Sequence, residues 1–148
     1  MDVIRNRRLL KELKAFKKNP PSNFKILHAN NIHRWIVEMT CANNTIYQGE
    51  KYKLEVRFSE SYPTEAPEVV FIKPAPINPH IYSNGHICIS ILSIEWTPAL
   101  TTEALLVSIL SMMSDCKKKK RPQGDEDYSR RAGPSPRGTK WDFHDGNV

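Results

Sequence analysis

Cys88 is the one side chain in this sequence placed for covalent chemistry. It lies in Pro79-His80-Ile81-Tyr82-Ser83-Asn84-Gly85-His86-Ile87-Cys88-Ile89-Ser90-Ile91-Leu92, between a polar turn and an apolar run. A thiolate is a competent nucleophile, and nearby imidazoles can favour its formation. Ser83-Asn84-Gly85 signals a tight turn, because Asn and Gly accept positive φ at little cost. Ile87, Ile89 and Ile91 alternate with Cys88, Ser90 and Leu92, which predicts a short extended piece holding the Cys88 sulfur on its polar side, exposed and ionisable. His80, His86 and Cys88 have no fourth ligand at a recognised metal spacing, so no metal is expected. His86 reads as a turn residue bonded to backbone, and Cys41 and Cys116 as inert thiols by a turn and a helix end.

The surrounding elements follow from periodicity and punctuation. Asp2 can cap a helix running to about Lys18, with Leu9, Leu13 and Phe16 on one stripe, Leu10 beside it, and Arg7, Arg8, Lys11 and Lys14 mostly facing away. Asn19-Pro20-Pro21 stops it. A strand is expected near Phe24–Leu27. The next, from His33 to Thr40, puts Trp35, Val37 and Met39 on one face. Lys51 to Phe58 alternates cleanly, with Tyr52, Leu54, Val56 and Phe58 inward, and Glu68–Ile72 closes the meander. The proline-rich stretch Lys73 to Pro79 cannot continue a ladder and leads into the cysteine loop. Thr101 should cap a largely buried helix through Ser114, with Leu105, Ile109, Met112 and Met113 as its core stripe. Residues 122–139 are rich in Pro, Gly, Ser and charge and predict a mobile tail without further helices, ending in an aromatic segment with Trp141 and Phe143. The expected class is α+β: an antiparallel sheet with helices on one face.

At 148 residues the chain can build one domain with a real core. No apolar run approaches the roughly 18 residues of a membrane span, so no membrane partner is expected. Three scattered cysteines form no disulfide framework, which favours reducing intracellular surroundings; cytoplasm and/or nucleus is the expected location, though composition alone does not choose the compartment. The net charge of +6 is uneven: residues 1–18 carry +5, residues 19–116 carry −3 and residues 117–148 carry +4. No nucleic-acid recognition motif or set of stacking aromatics accompanies the basic ends, so no nucleic acid is expected either.

The cysteine segment resembles the active-site segment of the ubiquitin-conjugating enzymes. Asn84-Gly85-His86-Ile87-Cys88 and Trp96-Thr97-Pro98-Ala99 match the family hallmark. Lys11-Glu12-Leu13, Tyr47-Gln48-Gly49-Glu50, Tyr62-Pro63 and Ala66-Pro67 extend the match over residues 1–122, the expected catalytic domain, with 123–148 as its tail. The family's usual His-Pro-Asn is replaced here by Asn78-Pro79-His80. That departure, with Tyr82–Cys88 and the closing Lys140-Trp141-Asp142-Phe143-His144-Asp145, looks like the W-type branch, whose members modify protein N-termini.

The resemblance implies the ubiquitin-conjugating fold and an acyltransferase. Cys88 would take ubiquitin from an activating enzyme as a thioester and pass it to an amine, without bound cofactor or metal, while the activating enzyme spends the ATP. His80, eight residues before Cys88, takes the place of the family's Asn. It could support the loop, support the oxyanion or remove the amine's proton, and support is the favoured role. Arg7, Arg8 and Lys11 match the first-helix contacts to the activating enzyme and to RING or U-box ligases, and Pro98 and Ala99 match the ligase loop. Thr64 departs from a common Phe anchor, which implies weak or selective binding of RING ligases. Where lysine-directed members carry an acid past the cysteine, this chain has Lys117–Arg121. A cationic wall repels a lysine ammonium, whereas an α-amino group, with a pKa of about 8 against about 10.4, is roughly two orders of magnitude more often neutral at pH 7. The expected acceptor is therefore the α-amino group of substrate N-termini, receiving one ubiquitin. A lysine-directed enzyme and a non-catalytic ubiquitin- or partner-binding module of the same fold stay open.

Overall fold

A computed structural model describes residues 2–137 of the chain, leaving aside the side chain of Asp2. Helix α1 (Asp2–Lys18) is followed by strands β1 (Phe24–His28), β2 (Arg34–Thr40), β3 (Lys51–Arg57) and β4 (Glu68–Phe71). The cysteine loop, a 3₁₀ turn at Ser90–Leu92, α2 (Thr102–Ser114) and α3 (Asp125–Arg131) complete it. The sheet is an antiparallel meander in the order β1-β2-β3-β4. Its register pairs Met39 with Phe24 and Tyr52, and Val56 with Trp35 and Val69. None of the helices among the described residues is long and apolar enough to cross a membrane.

The alternation expected in the strands sets which face is dry. Trp35, Val37, Met39, Leu54 and Val56 are all fully buried. Leu9, Leu13 and Phe16 of α1 pack against them, each contributing roughly 1.5–3 kcal/mol relative to exposure. Leu10, expected beside that stripe, is 54% exposed because it falls on the outer side of the helix. Leu105, Leu106 and Ile109 of α2 are wholly buried, so this helix is the central one. Its cap is as expected: Thr101 Oγ1 accepts from the Ala104 amide at 3.1 Å. The Glu12 carboxylate of α1 accepts the Thr102 amide at 2.8 Å, placing negative charge at the positive end of α2. A run of edge-on rings, Phe16–Trp35–Phe58–Tyr62, links α1 to the loop that carries Trp96, which tilts against Tyr62.

The expectation of a tail without helices from residue 122 is corrected. Asp125–Arg131 is helical, and the chain stays on the domain through Arg137. Asp125, Glu126 and Asp127 open α3 and Arg130 and Arg131 close it, matching the helix dipole at both ends, and Asp127 pairs with Arg130 at 2.8 Å and Arg131 at 2.6 Å. Composition averaged over 122–139 hides this short ordered run. Beyond it, Arg57 Nη2 donates to Pro134 O at 3.0 Å, and Arg137 pairs with Glu65 at 2.5 Å. Trp141 and Phe143 lie outside the described residues.

Candidate active site around Cys88

The cysteine loop is tied to the sheet through a glycine. Gly85 has φ +97°, and a Cβ there would stand 2.1 Å from the Phe71 carbonyl oxygen. No other residue permits this approach, which lets the Phe71 amide donate to Gly85 O at 2.9 Å. The chain then folds back on itself, with isolated bridges between Val70 and His86 and between Ile81 and Ile87.

These bridges set Cys88 opposite His80. The Cys88 amide donates to His80 O at 2.8 Å, and His80 Nδ1 lies 3.0 Å from Cys88 O. A carbonyl only accepts, so Nδ1 carries a proton, and in this tautomer of the neutral ring the lone pair lies on Nε2. That nitrogen is buried and has no hydrogen-bond partner among the described residues. This contact supports the loop and leaves Nε2 uncommitted. Asn78, fully buried, fixes the other side: its Oδ1 accepts the His80 amide at 2.7 Å, and its Nδ2 donates to the Tyr47 hydroxyl at 3.2 Å. The Tyr47 hydroxyl also donates to Ile77 O.

Two local expectations are overturned. Cys88 is only 7% exposed, where an exposed sulfur was expected, and the extended run stops at Ile89 instead of continuing through Leu92. Ile87, Cys88 and Ile89 are all buried, and the chain turns at once into the 3₁₀ turn, with Leu92 N donating to Ile89 O and Ser93 N to Ser90 O. Ile87 and Ile89 join the core as the alternation requires, but Cys88 between them is buried too, its amide committed to His80, and the 3₁₀ turn ends the pattern at Ser90. Burial, then the charge of Cys88, raise the Tyr82 phenol above the ordinary range.

His86 bonds backbone, as expected of it, and the carbonyl its ring reaches lies in the C-terminal segment. Its Nε2–H donates to Pro134 O at 3.3 Å, so Nδ1 accepts from the Tyr128 hydroxyl at 2.6 Å. Burial holds its imidazole below the ordinary value. Tyr128 stacks on Tyr82 at 4.1 Å, and Asp125 Oδ1 accepts the Ser83 amide at 2.7 Å. Sequence reasoning missed Tyr128, Asn78, Tyr47 and Arg121 as site residues. Tyr128 had a signal, an aromatic between acidic and basic helix ends, and Tyr47 and Asn78 lay in quoted motif segments; Arg121 had none, since its partners are remote backbone carbonyls.

The cationic wall is thinner than its sequence. Lys119 pairs with Glu50 at 2.6 Å and lies over the Tyr47 ring, while Arg121 turns inward to loop carbonyls. Lys117, Lys118 and Lys120 remain exposed. Cys41 and Cys116 are buried, and burial pushes the Cys41 thiol up to about 11. No group of three or more potential metal ligands occurs among the described residues.

The residues expected to meet partners gather away from the cysteine. Arg8 donates to Pro98 O at 2.9 Å and to Leu100 O at 2.5 Å. Arg8, Lys11, Pro98 and Ala99 line a groove of about 370 Å³ floored by Phe16 and Trp35. Arg7 is exposed but does not line it.

A family model described as ubiquitin-conjugating enzyme matches residues 8–132, a span that includes α3. The probable ubiquitin-conjugating enzyme E2 W of Dictyostelium discoideum is 48% identical over 143 residues, covering 96% of this chain and 96% of its own. The ubiquitin-conjugating enzyme E2 W of Caenorhabditis elegans is 43% identical over 152 residues, with both chains fully covered. Among solved structures, ubiquitin conjugating enzyme E2 UbcA1 from Agrocybe aegerita matches with a TM-score of 0.85 and 41% identity, over 88% of this chain and 96% of that one. Likeness of that degree across the helix–sheet–helix frame, and not only at the cysteine, means that this chain belongs to the ubiquitin-conjugating enzyme family, in its W-type branch.

Proposed function

We propose that Cys88 carries ubiquitin as a thioester and that this enzyme transfers it, as a single ubiquitin, to the α-amino group of substrate N-termini. The observation that carries this reading is the pairing of His80 with Cys88, which leaves a buried imidazole nitrogen with an uncommitted lone pair. The Cys88 thiolate attacks the carbonyl of the ubiquitin thioester on an activating enzyme, whose own thiolate leaves. A neutral amine then attacks the new thioester carbon. The tetrahedral oxyanion collapses, the C–S bond breaks, the Cys88 thiolate departs and His80 Nε2 takes the amine's proton. His80 then holds two N–H groups, and the Nδ1 contact to Cys88 O is kept.

The exposed Lys117, Lys118 and Lys120 support an α-amino acceptor, which reaches its neutral form near pH 8 without an acidic helper. The groove of Arg8, Lys11, Pro98 and Ala99, with Arg7 beside it, is the surface we assign to the activating enzyme and to RING or U-box ligases. A lysine acceptor is the second reading, favoured by the engagement of Lys119 and Arg121 elsewhere, which lowers the barrier to an incoming ammonium.

The test is loading with activating enzyme, ATP and ubiquitin, followed by discharge onto a peptide with a free N-terminus, an N-acetylated lysine peptide and free lysine. Transfer to the first peptide alone is expected. Transfer to lysine alone rejects the N-terminal reading, and failure to form a thiol-sensitive adduct leaves a binding module.

A further inference from the structure

Arg121 closes the Lys117–Arg121 run, seven residues past the end of α2, yet its guanidinium does not join the basic surface. Its Nη1 donates to Pro76 O at 2.7 Å and to Ile81 O at 3.3 Å, and its Nη2 donates to Ala75 O at 3.1 Å. The three carbonyls bracket His80: two stand in the middle of the proline-rich loop and one immediately follows His80 in the chain. Pro74, Pro76 and Pro79 have no amide hydrogen, so the loop cannot hold itself by a ladder and depends on donors from outside. A planar fork with fixed donors can draw three carbonyls to one place, whereas a lysine offers a single rotating ammonium. Asn78 holds the other side of the loop from Tyr47.

We propose that Arg121 is a positioning residue for acyl transfer: by clasping the carbonyls of Ala75, Pro76 and Ile81 it sets where His80 stands relative to Cys88. This rests on the reading that His80 takes the amine's proton, and the experiment separates the two. The protein is loaded with ubiquitin, and single-turnover discharge onto a free-N-terminus peptide is followed against peptide concentration. The variants are R121M, R121K, H80A and the double variant H80A/R121M.

Arg121→Met is expected to lower the maximal discharge rate about tenfold, with half-saturation and loading unchanged, since small misplacements of a reacting group cost that much or more. Arg121→Lys, which keeps the charge but not the fork, is expected to recover only part of that rate. In the His80→Ala background, Arg121→Met should change the rate less than about twofold, because two residues acting through one group are not additive. An R121M rate equal to the parent, or the same tenfold loss persisting without His80, overturns the proposal. Parental discharge by H80A alone instead overturns the role of His80 itself. If R121M fails to fold, the R121K rate decides: full parental discharge by it rejects the need for the fork.

Discussion

His80 and Cys88 face each other as a reciprocally bonded pair, amide to carbonyl at 2.8 Å in one direction and imidazole to carbonyl at 3.0 Å in the other. The contact that orients the ring also chooses its tautomer, and so decides which nitrogen can act. His80→Ala is expected to leave loading of Cys88 within about twofold and to slow discharge onto an α-amine roughly a hundredfold, in the range of a lost general base. His80→Asn, which can still donate to Cys88 O, should keep the loop but not the rate. Single-turnover discharge of both variants, with loading measured beside it, checks this.

Gly85→Ala should be among the most damaging single-atom changes in the chain. The added Cβ would meet the Phe71 carbonyl oxygen at 2.1 Å in a backbone conformation of φ +97°. Strain of this kind costs about 1–3 kcal/mol before the loop moves. A thermal melt should fall accordingly, and loading should fall with it, because displacing Gly85 shifts the bridge that carries Cys88. An unchanged melting temperature would contradict the geometry.

Docking of the C-terminal segment should weaken in mild acid. Burial, with the Arg57 charge adding, holds the His86 imidazole below its ordinary 6.5, while Pro134 O and Glu68 pull the other way. The folded state therefore favours the neutral ring, and below pH 6.5 the unfolded state binds more protons. Stability from this group is full above about pH 6.5 and declines as the pH falls from there towards the lowered folded value. The loss in melting temperature between pH 7.5 and pH 5.5 should be smaller in His86→Gln than in the parent. An equal loss in both would remove His86 from the effect.

Access to the thiol should depend on α3. Cys88 is 7% exposed, its charge is felt at Tyr82, and Tyr128 packs on Tyr82 with ring centroids 4.1 Å apart. Tyr128→Ala removes that packing and the bond to His86 together, and should raise the rate at which iodoacetamide alkylates Cys88 severalfold. Tyr128→Phe keeps the ring and loses one hydrogen bond of about 1 kcal/mol, so its rate should rise less. Alkylation at the parental rate in Tyr128→Ala would place the cover elsewhere.

Local patterns were enough for the frame. The stripe Leu9–Leu13–Phe16, the alternation of Trp35, Val37 and Met39, the clean strand from Lys51 and the Thr101 cap each follow from neighbours a few residues apart, and period and burial agree there. Cys88 and His80 were likewise legible as a motif. What Cys88 touches was not, since its burial and its bond to His80 come from a loop folded against β4, fixed by Gly85 and Phe71 and by Asn78 and Tyr47. Lys119 and Arg121 read as surface charge, and only folding supplied Glu50 and the carbonyls of residues 75, 76 and 81 as their partners. Tyr128 and His86 meet across 42 residues, a separation at which composition carries no information. Elements follow from short-range periodicity, whereas a site is made by long-range closure, and hydrogen bonds to remote backbone leave no trace in residue type.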